Sequence, residues 1–177
     1  QKNPEKDFII LNLTDTQLDN AEWSDGHVNR QILEYTITQL IQKTKPDLIT
    51  ISGDLAWAGN EHAYKMLALF LESFNIPWAP IFGNHDNESH IGVLWQNELF
   101  ENAEHCLFKK GTATGNGNYT VGIRQNGKLT RVFFMMDSNG CDNPGKNSVL
   151  HVMPGGKGFM EDQVEWFTRQ GAAIKKA

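Results

Sequence analysis

Short apolar runs and longer periodic stretches alternate along the first half of the chain, and each short run ends in a polar cluster. Phe8-Ile9-Ile10-Leu11-Asn12-Leu13 has the continuous apolar character of a buried strand and runs into Thr14-Asp15-Thr16-Gln17. From Val28 onward the apolar positions Val28, Ile32, Leu33, Tyr35, Ile37, Leu40 and Ile41 recur with a period of about 3.6, predicting a helix that stops at Lys45-Pro46. Leu48-Ile49-Thr50-Ile51 is a second strand, terminated by Ser52-Gly53-Asp54. Ala63, Met66, Leu67, Leu69, Phe70 and Phe74 support a second helix, and Pro77 separates it from a third strand around Trp78 to Phe82. That strand ends at Gly83-Asn84-His85-Asp86.

Strand, helix, strand, helix, strand in this order implies an α/β fold with a parallel sheet, and a binding site outside the carboxyl ends of the strands. All three polar clusters fall at those ends. After a helix expected from about Ile91 to Phe100, the pattern changes to a hairpin: Tyr119 to Arg124 and Thr130 to Met136 flank Gln125-Asn126-Gly127-Lys128, in which Asn-Gly is the turn signal. Gly111 to Gly117 and Asn139 to Gly158 read as Gly/Asn-rich loops, and Gln163-Val164-Glu165-Trp166-Phe167 belongs to a final helix. One domain over residues 1–177 is expected.

Composition narrows the function classes. With 177 residues, 40% of them hydrophobic, the chain can bury one sizeable core, while a net charge of -5 offers no basic field for a phosphate backbone. Nucleic-acid binding is therefore not expected. A small phosphorylated substrate is compatible with that charge if bound cations reverse its local sign. Cys106 and Cys141 form no Cys-x-x-Cys pair, so neither a disulfide framework nor a cysteine zinc site is indicated. No apolar stretch approaches the roughly 18 to 20 residues of a membrane span, so no membrane insertion is expected, and the chain reads as soluble, cytoplasmic or exported. Oligomeric state is not readable from the sequence.

Neighbouring strands lie about 4.8 Å apart, so side chains just past adjacent strand ends converge on one small volume. Asp15, Asp54 and Asn84 can offer two carboxylates and an amide oxygen to metal ions there. In two-metal hydrolases the ions sit roughly 3.5 to 4 Å apart, a gap that one bridging carboxylate spans while a bridging water is deprotonated for in-line attack on phosphorus. Asp54 is the best candidate for the bridge. His85, beside a ligand but free of metal, can protonate the leaving oxygen or stabilise charge on the phosphoryl group, with Asp86 orienting its imidazole.

These motifs, Asp15-Thr16-Gln17, then Gly53-Asp54, then Gly83-Asn84-His85-Asp86, resemble the Asp-x-His, Gly-Asp and Gly-Asn-His-Asp/Glu series of the calcineurin-like metallophosphoesterases. The likeness covers nearly the whole chain. Ile76-Pro77-Trp78 and Gly115-Asn116-Gly117-Asn118-Tyr119 are similar to a purple-acid-phosphatase-related branch. The resemblance implies the amino-terminal part of an α/β sandwich, with central sheets flanked by helices. It also implies hydrolysis of phosphate mono- or diesters by two divalent or trivalent ions, manganese, iron or zinc, with Asp15, Gln17, Asp54 and Asn84 as ligands.

Three departures bear on that expectation. Gln17 stands where most members have a histidine ligand, and an amide oxygen is a weaker donor for zinc or iron than imidazole. Purple members have a tyrosine three places after the bridging Asp, whereas this chain has Trp57, so a tyrosinate-to-iron centre is not expected. Members of the family complete the site with a later histidine and a Gly-His-x-His motif. The histidines here are His27, His62, His85, His90, His105 and His151, with no His-x-His. The expectation is that the chain stops before those last ligands.

Each reading has a plainer counterpart. An Asp after a strand is commonly a turn former or helix cap, Gln17 can simply bind a water, and Trp57 and Trp95, which can border the pocket, are more simply core. Apart from His85, the histidines read as surface or loop residues. Two rival functions follow: a catalytically silent fold of the same family used for binding or scaffolding, and a flavodoxin-like receiver whose strand-end carboxylates hold one magnesium ion.

Overall fold

A computed structural model describes residues 2–57, 60–89, 92–140 and 158–176. The first half builds a parallel sheet from β1 (Ile10–Leu13), β2 (Leu48–Ser52) and β3 (Trp78–Ile81), connected by α1 (Val28–Thr44) and α2 (Glu61–Glu72). The order is β1-β2-β3, with Leu13 opposite Ile51 and Ile51 opposite Pro80. The three strands therefore end level with one another. β2 lies between the other two, and this differs from the flavodoxin-like order, in which β1 is central. The receiver reading is excluded by that topology.

After α3 (Leu94–Asn102) come the antiparallel strands β4 (Tyr119–Gln125) and β5 (Lys128–Met135), and α4 (Glu161–Lys176) closes the order. Asn126 and Gly127 both have positive φ, 52° and 78°, the geometry that a two-residue hairpin turn of this sequence requires. The Tyr119 hydroxyl donates to the Pro80 carbonyl at 2.6 Å, tying the hairpin to the parallel sheet. Phe108 packs between Phe82, Phe100 and Tyr119 with ring centroids 5.5 to 5.7 Å apart, so the core runs without a break from sheet to hairpin.

Three departures from the sequence pattern have simple causes. On α1 only Ile37 and Ile41 are buried, with Leu33 packed against them, while Val28, Ile32 and Tyr35 are more than half exposed. The inward stripe follows i, i+4, i+8, and each of the other three positions lies a large angle around the helix from it. Residues 105–107 add a short parallel partner to β3, through Trp78 N–H to His105 O and Leu107 N–H to Trp78 O. So brief a segment carries no periodicity to read. The third helix starts at Leu94 rather than near Ile91, because Gly92 takes a φ of 81° in the turn that precedes it.

At the end of α2 the Glu72 carboxylate gathers the Trp78 indole N–H at 2.6 Å, the His105 backbone N–H at 3.1 Å and the His105 ring at 2.9 Å. Burial pushes its pKa up, but these hydrogen bonds outweigh burial and hold it below the ordinary carboxylate value. A depressed pKa in the folded state adds stability above the unfolded-state pKa, and that stability is lost as pH falls through the native value. Glu72→Gln is expected to cost roughly 1.5 to 3 kcal/mol at neutral pH, the range for hydrogen bonds to a charged group. Urea denaturation of both proteins across acid pH should show the difference shrinking below about pH 4.

Candidate metal centre

Asp15, Gln17 and Asp54, each of which immediately follows or sits within a strand-end turn, adopt left-handed backbone angles, with φ of 54°, 27° and 53°. Such angles cost non-glycine residues energy and persist where surrounding contacts over-determine them. Here the contacts run from turn to turn. The Asp15 N–H donates to Gly53 O and the Gln17 N–H to Asp54 O, both at 3.2 Å, and the Thr16 hydroxyl donates to Leu55 O at 2.7 Å. The first two polar clusters are thus one backbone unit.

The third cluster is pressed against them. A Cβ added to Gly53 would meet Gly83 Cα at 2.7 Å, and one added to Gly83 would strike the Asp54 backbone nitrogen at 2.5 Å and its carboxylate. Glycine is required at both positions because no side chain fits between the turns.

Side chains complete the convergence. Asp54, which is buried, accepts the Gln17 amide N–H on Oδ2 at 2.9 Å and the His85 backbone N–H on Oδ1 at 3.1 Å. Asp15 is exposed beside it, accepting from its neighbour Thr14 at 2.5 Å, and Asn84 is half-buried between Gly83 and His85. The turns that carry Asp15, Gln17, Asp54, Asn84 and His85 are therefore brought together, with the Gln17 side chain and the His85 backbone on Asp54 itself. Gln17 presents its nitrogen to Asp54, leaving its amide oxygen as the atom available to a cation or water.

The expectation that Asp86 orients the His85 ring is corrected. Asp86 is fully buried, and its two oxygens receive the backbone N–H groups of Gly83, Asp54 and Leu55 at 2.6 to 2.8 Å together with the Tyr64 hydroxyl. Burial pushes its pKa up to about 6 against the pull of those donors, with the Asp54 charge adding to the rise. The imidazole finds a different carboxylate: His85 Nδ1 lies 2.8 Å from Glu88 Oε1. Trp57 covers the ring, with centroids 4.8 Å apart and planes tilted by 31°, and remains 45% exposed. Glu88 escaped the sequence reading, whereas Trp57 was weighed there as a border of the pocket or as core. Glu88 lies three residues beyond the candidate His85, and that spacing was the available signal.

Among the described residues no group of three or more His, Cys, Asp or Glu side chains is arranged to hold a metal. The candidate donors carried by the converging turns are two carboxylates, Asp15 and Asp54, and two amides, Gln17 and Asn84. Oxygen donors of this kind suit hard cations that keep several waters, magnesium or manganese, better than thiophilic ones. The residues present thus fit part of a metal site. His90, His151 and Cys141 lie outside the described residues. No helix among the described residues is long and apolar enough to cross a membrane.

Comparison with known proteins bears on this geometry. The family model described as calcineurin-like phosphoesterase matches residues 9–172. A protein of Vesicomyosocius okutanii named "Probable cyclic nucleotide phosphodiesterase" is 30% identical over 93 residues, covering 52% of this chain and 40% of the relative. One of Ruthia magnifica with the same name is 31% identical over 91 residues, covering 51% and 38%. A third, from Moraxella catarrhalis, is 31% identical over 86 residues, covering 49% and 30%. The matched stretch therefore spans well under half the length of these curated relatives.

The contrast between Asp86 and His85 can be measured in the apo protein. Asp86→Ala leaves buried N–H groups on two turns without acceptors and is expected to cost on the order of 3 kcal/mol or more. His85→Ala, whose ring is partly exposed, should cost less than about 1 kcal/mol. Chemical denaturation compares the two. Equal losses would place Asp86 outside the structural role.

Proposed function

This chain belongs to the calcineurin-like phosphoesterase family, and from that premise we propose that it carries the amino-terminal ligands of a two-metal site for phosphate-ester hydrolysis. The observation supporting this most is the meeting of Gln17, Asp54 and the Gly83–His85 turn on one buried carboxylate. In this reading Asp15, Asp54 and Asn84 are ligands, and Gln17 steadies Asp54 and turns its oxygen to the site, a set that fills part of the coordination of two ions. When bound, the ions supply Lewis acidity and a lowered pKa for a coordinated water.

The chain's own residues do the rest. Asp54 holds the site's centre, and its hydrogen bond from the His85 backbone sets the imidazole's starting point. Glu88 engages Nδ1, which leaves Nε2 to hold a proton for the leaving oxygen. Glu88 is thus a positioning residue, taking the part first expected of Asp86. Trp57 shields one ring face from water. It also occupies the place of the purple members' tyrosine, so within a purple-acid-phosphatase-related branch this would be a colourless centre.

The substrate class is a small phosphomonoester or phosphodiester. The names of the three relatives direct attention to phosphodiesters, cyclic nucleotides included. A silent scaffold of the same fold is the second reading, favoured by the Gln17 amide resting on Asp54 where an imidazole ligand is usual. Manganese titration separates the two, because a scaffold would show no saturable binding that depends on Asp54.

Roles are tested with the protein that hydrolyses the ester. Asp54→Ala should abolish turnover and lower metal content, since the bridge is lost. His85→Ala should retain metal and slow turnover by about 10² to 10⁴, with Glu88→Gln showing a smaller defect of the same kind. Both defects should shrink on an aryl phosphate relative to an alkyl phosphate, because an activated leaving group needs less protonation. Loss of metal in His85→Ala would sink its place outside the ligand set.

A further inference from the structure

Behind the Asn84 turn lies a second polar assembly that hydrolysis does not itself require. Gln163, fully buried on α4, donates from Nε2 to Asp137 O at 2.7 Å and to Asn118 Oδ1 at 2.8 Å. Its Oε1 accepts from Asn139 Nδ2 at 2.6 Å and from Met160 N at 2.9 Å. The buried Asp137 carboxylate in turn receives the N–H of Asn116 at 2.7 Å and of Asn139 at 2.8 Å. Asn139 sits at a φ of 56°, an angle that this double hold enforces. A Cβ on Gly115 would strike both Asp137 and Asn139 side chains within 2.9 Å, so the Gly115 loop lies directly against the two side chains.

The outlet of this assembly is Gly140. A Cβ there would meet Asn84 Cα and Gly83 O, both at 2.8 Å. The residue after Asn139 is therefore seated directly on the peptide that carries Asn84, and the obstructing atoms are backbone, which cannot rotate aside. Gly140 does not have a positive φ, so alanine there is obstructed by this contact alone. The geometry points to Gln163 and Asp137 as positioning residues, a latch that fixes residues 137–140 so that Gly140 sets where the Asn84 amide stands.

A ligand side chain held to a few tenths of an ångström by its surroundings binds its ion more tightly, and removing such outer support typically costs 10- to 100-fold in metal affinity. The latch acts from a helix far along the chain, on a turn whose other side is already fixed by Gly53 and Asp54. Asn84 is thus gripped from both sides. The consequence for metal binding rests on the reading of Asn84 as a ligand, whereas the seat itself is a property of the metal-free protein.

The test uses the isotope-labelled chain and two variants, Gly140→Ala and Gln163→Met, with Asn84→Ala as the control. In the metal-free protein both variants should shift the Gly83 and Asn84 amide resonances more than those of the remote Asn126-Gly127 turn. On titration with Mn²⁺, the concentration that half-broadens the Asp54 and His85 amides should rise about tenfold in each. Unmoved Gly83 and Asn84 resonances in folded Gly140→Ala would overturn the latch, as would moved resonances with an unchanged Mn²⁺ midpoint beside a control that weakens binding. If Gln163→Met does not fold, Gly140→Ala alone decides. A control that leaves the midpoint unchanged would refute Asn84 as a ligand, and with it the proposed function, while the metal-free shifts still judge the latch.

Discussion

The arrangement at the sheet's carboxyl end depends on one buried carboxylate that has no place in the proposed chemistry. Asp86 receives backbone N–H groups from the turn after β2 and from the turn after β3, with the Tyr64 hydroxyl of α2 on the same oxygen as Leu55. Turns that end parallel strands leave their N–H groups pointing at one another, and a buried donor without an acceptor costs about 1 to 3 kcal/mol. A single acceptor-only group between the turns satisfies several donors at once. It also fixes the separation of Asp54 and His85, because both residues flank the groups it holds.

That constraint explains which parts of the site were legible in the sequence. The strands, their polar endings and the glycines at 53 and 83 follow from apolar runs and turn chemistry, so Asp15, Asp54, Asn84 and His85 could be named together as candidates. The role of Asp86 was not, since the residue after a histidine can face its ring or the backbone, and only the fold decides. Glu88 was missed for the converse reason: its spacing from His85 matters only if the segment after Gly83 turns back, as the Glu88 N–H to His85 O bond shows that it does. Trp57 reads either as a border of the pocket or, more simply, as core, and its ring lies on His85 with the residue nearly half in solvent.

Local strain is concentrated where the turns meet. Left-handed angles at Asp15, Gln17 and Asp54 cost on the order of 1 to 3 kcal/mol each by the usual scale, and nothing in the apolar core requires them. What they achieve is the reversal of each chain immediately after its strand, which points the Gln17 amide at Asp54 and lets Gly83 approach its backbone. The stability comes from elsewhere, through the continuous aromatic packing of Trp78, Phe82, Phe100, Phe108 and Tyr119 beneath the sheet. Apolar runs placed Trp78, Phe82 and Tyr119 on strands and Phe100 on a helix in the sequence, whereas the strained turns were visible only as motifs.

The hydrogen bonds already made by Asp54 bear on whether it can serve as a bridge. An ionised carboxylate has about four lone-pair directions, two on each oxygen. Gln17 uses one on Oδ2 and the His85 backbone uses one on Oδ1, so one direction on each oxygen is left. That distribution would leave each oxygen free to meet a cation, while the two hydrogen bonds hold the group still. The same pair of bonds makes the first and third turns sense each other through Asp54, so displacing Gln17 should be felt at His85 even though the two side chains belong to different strands' ends.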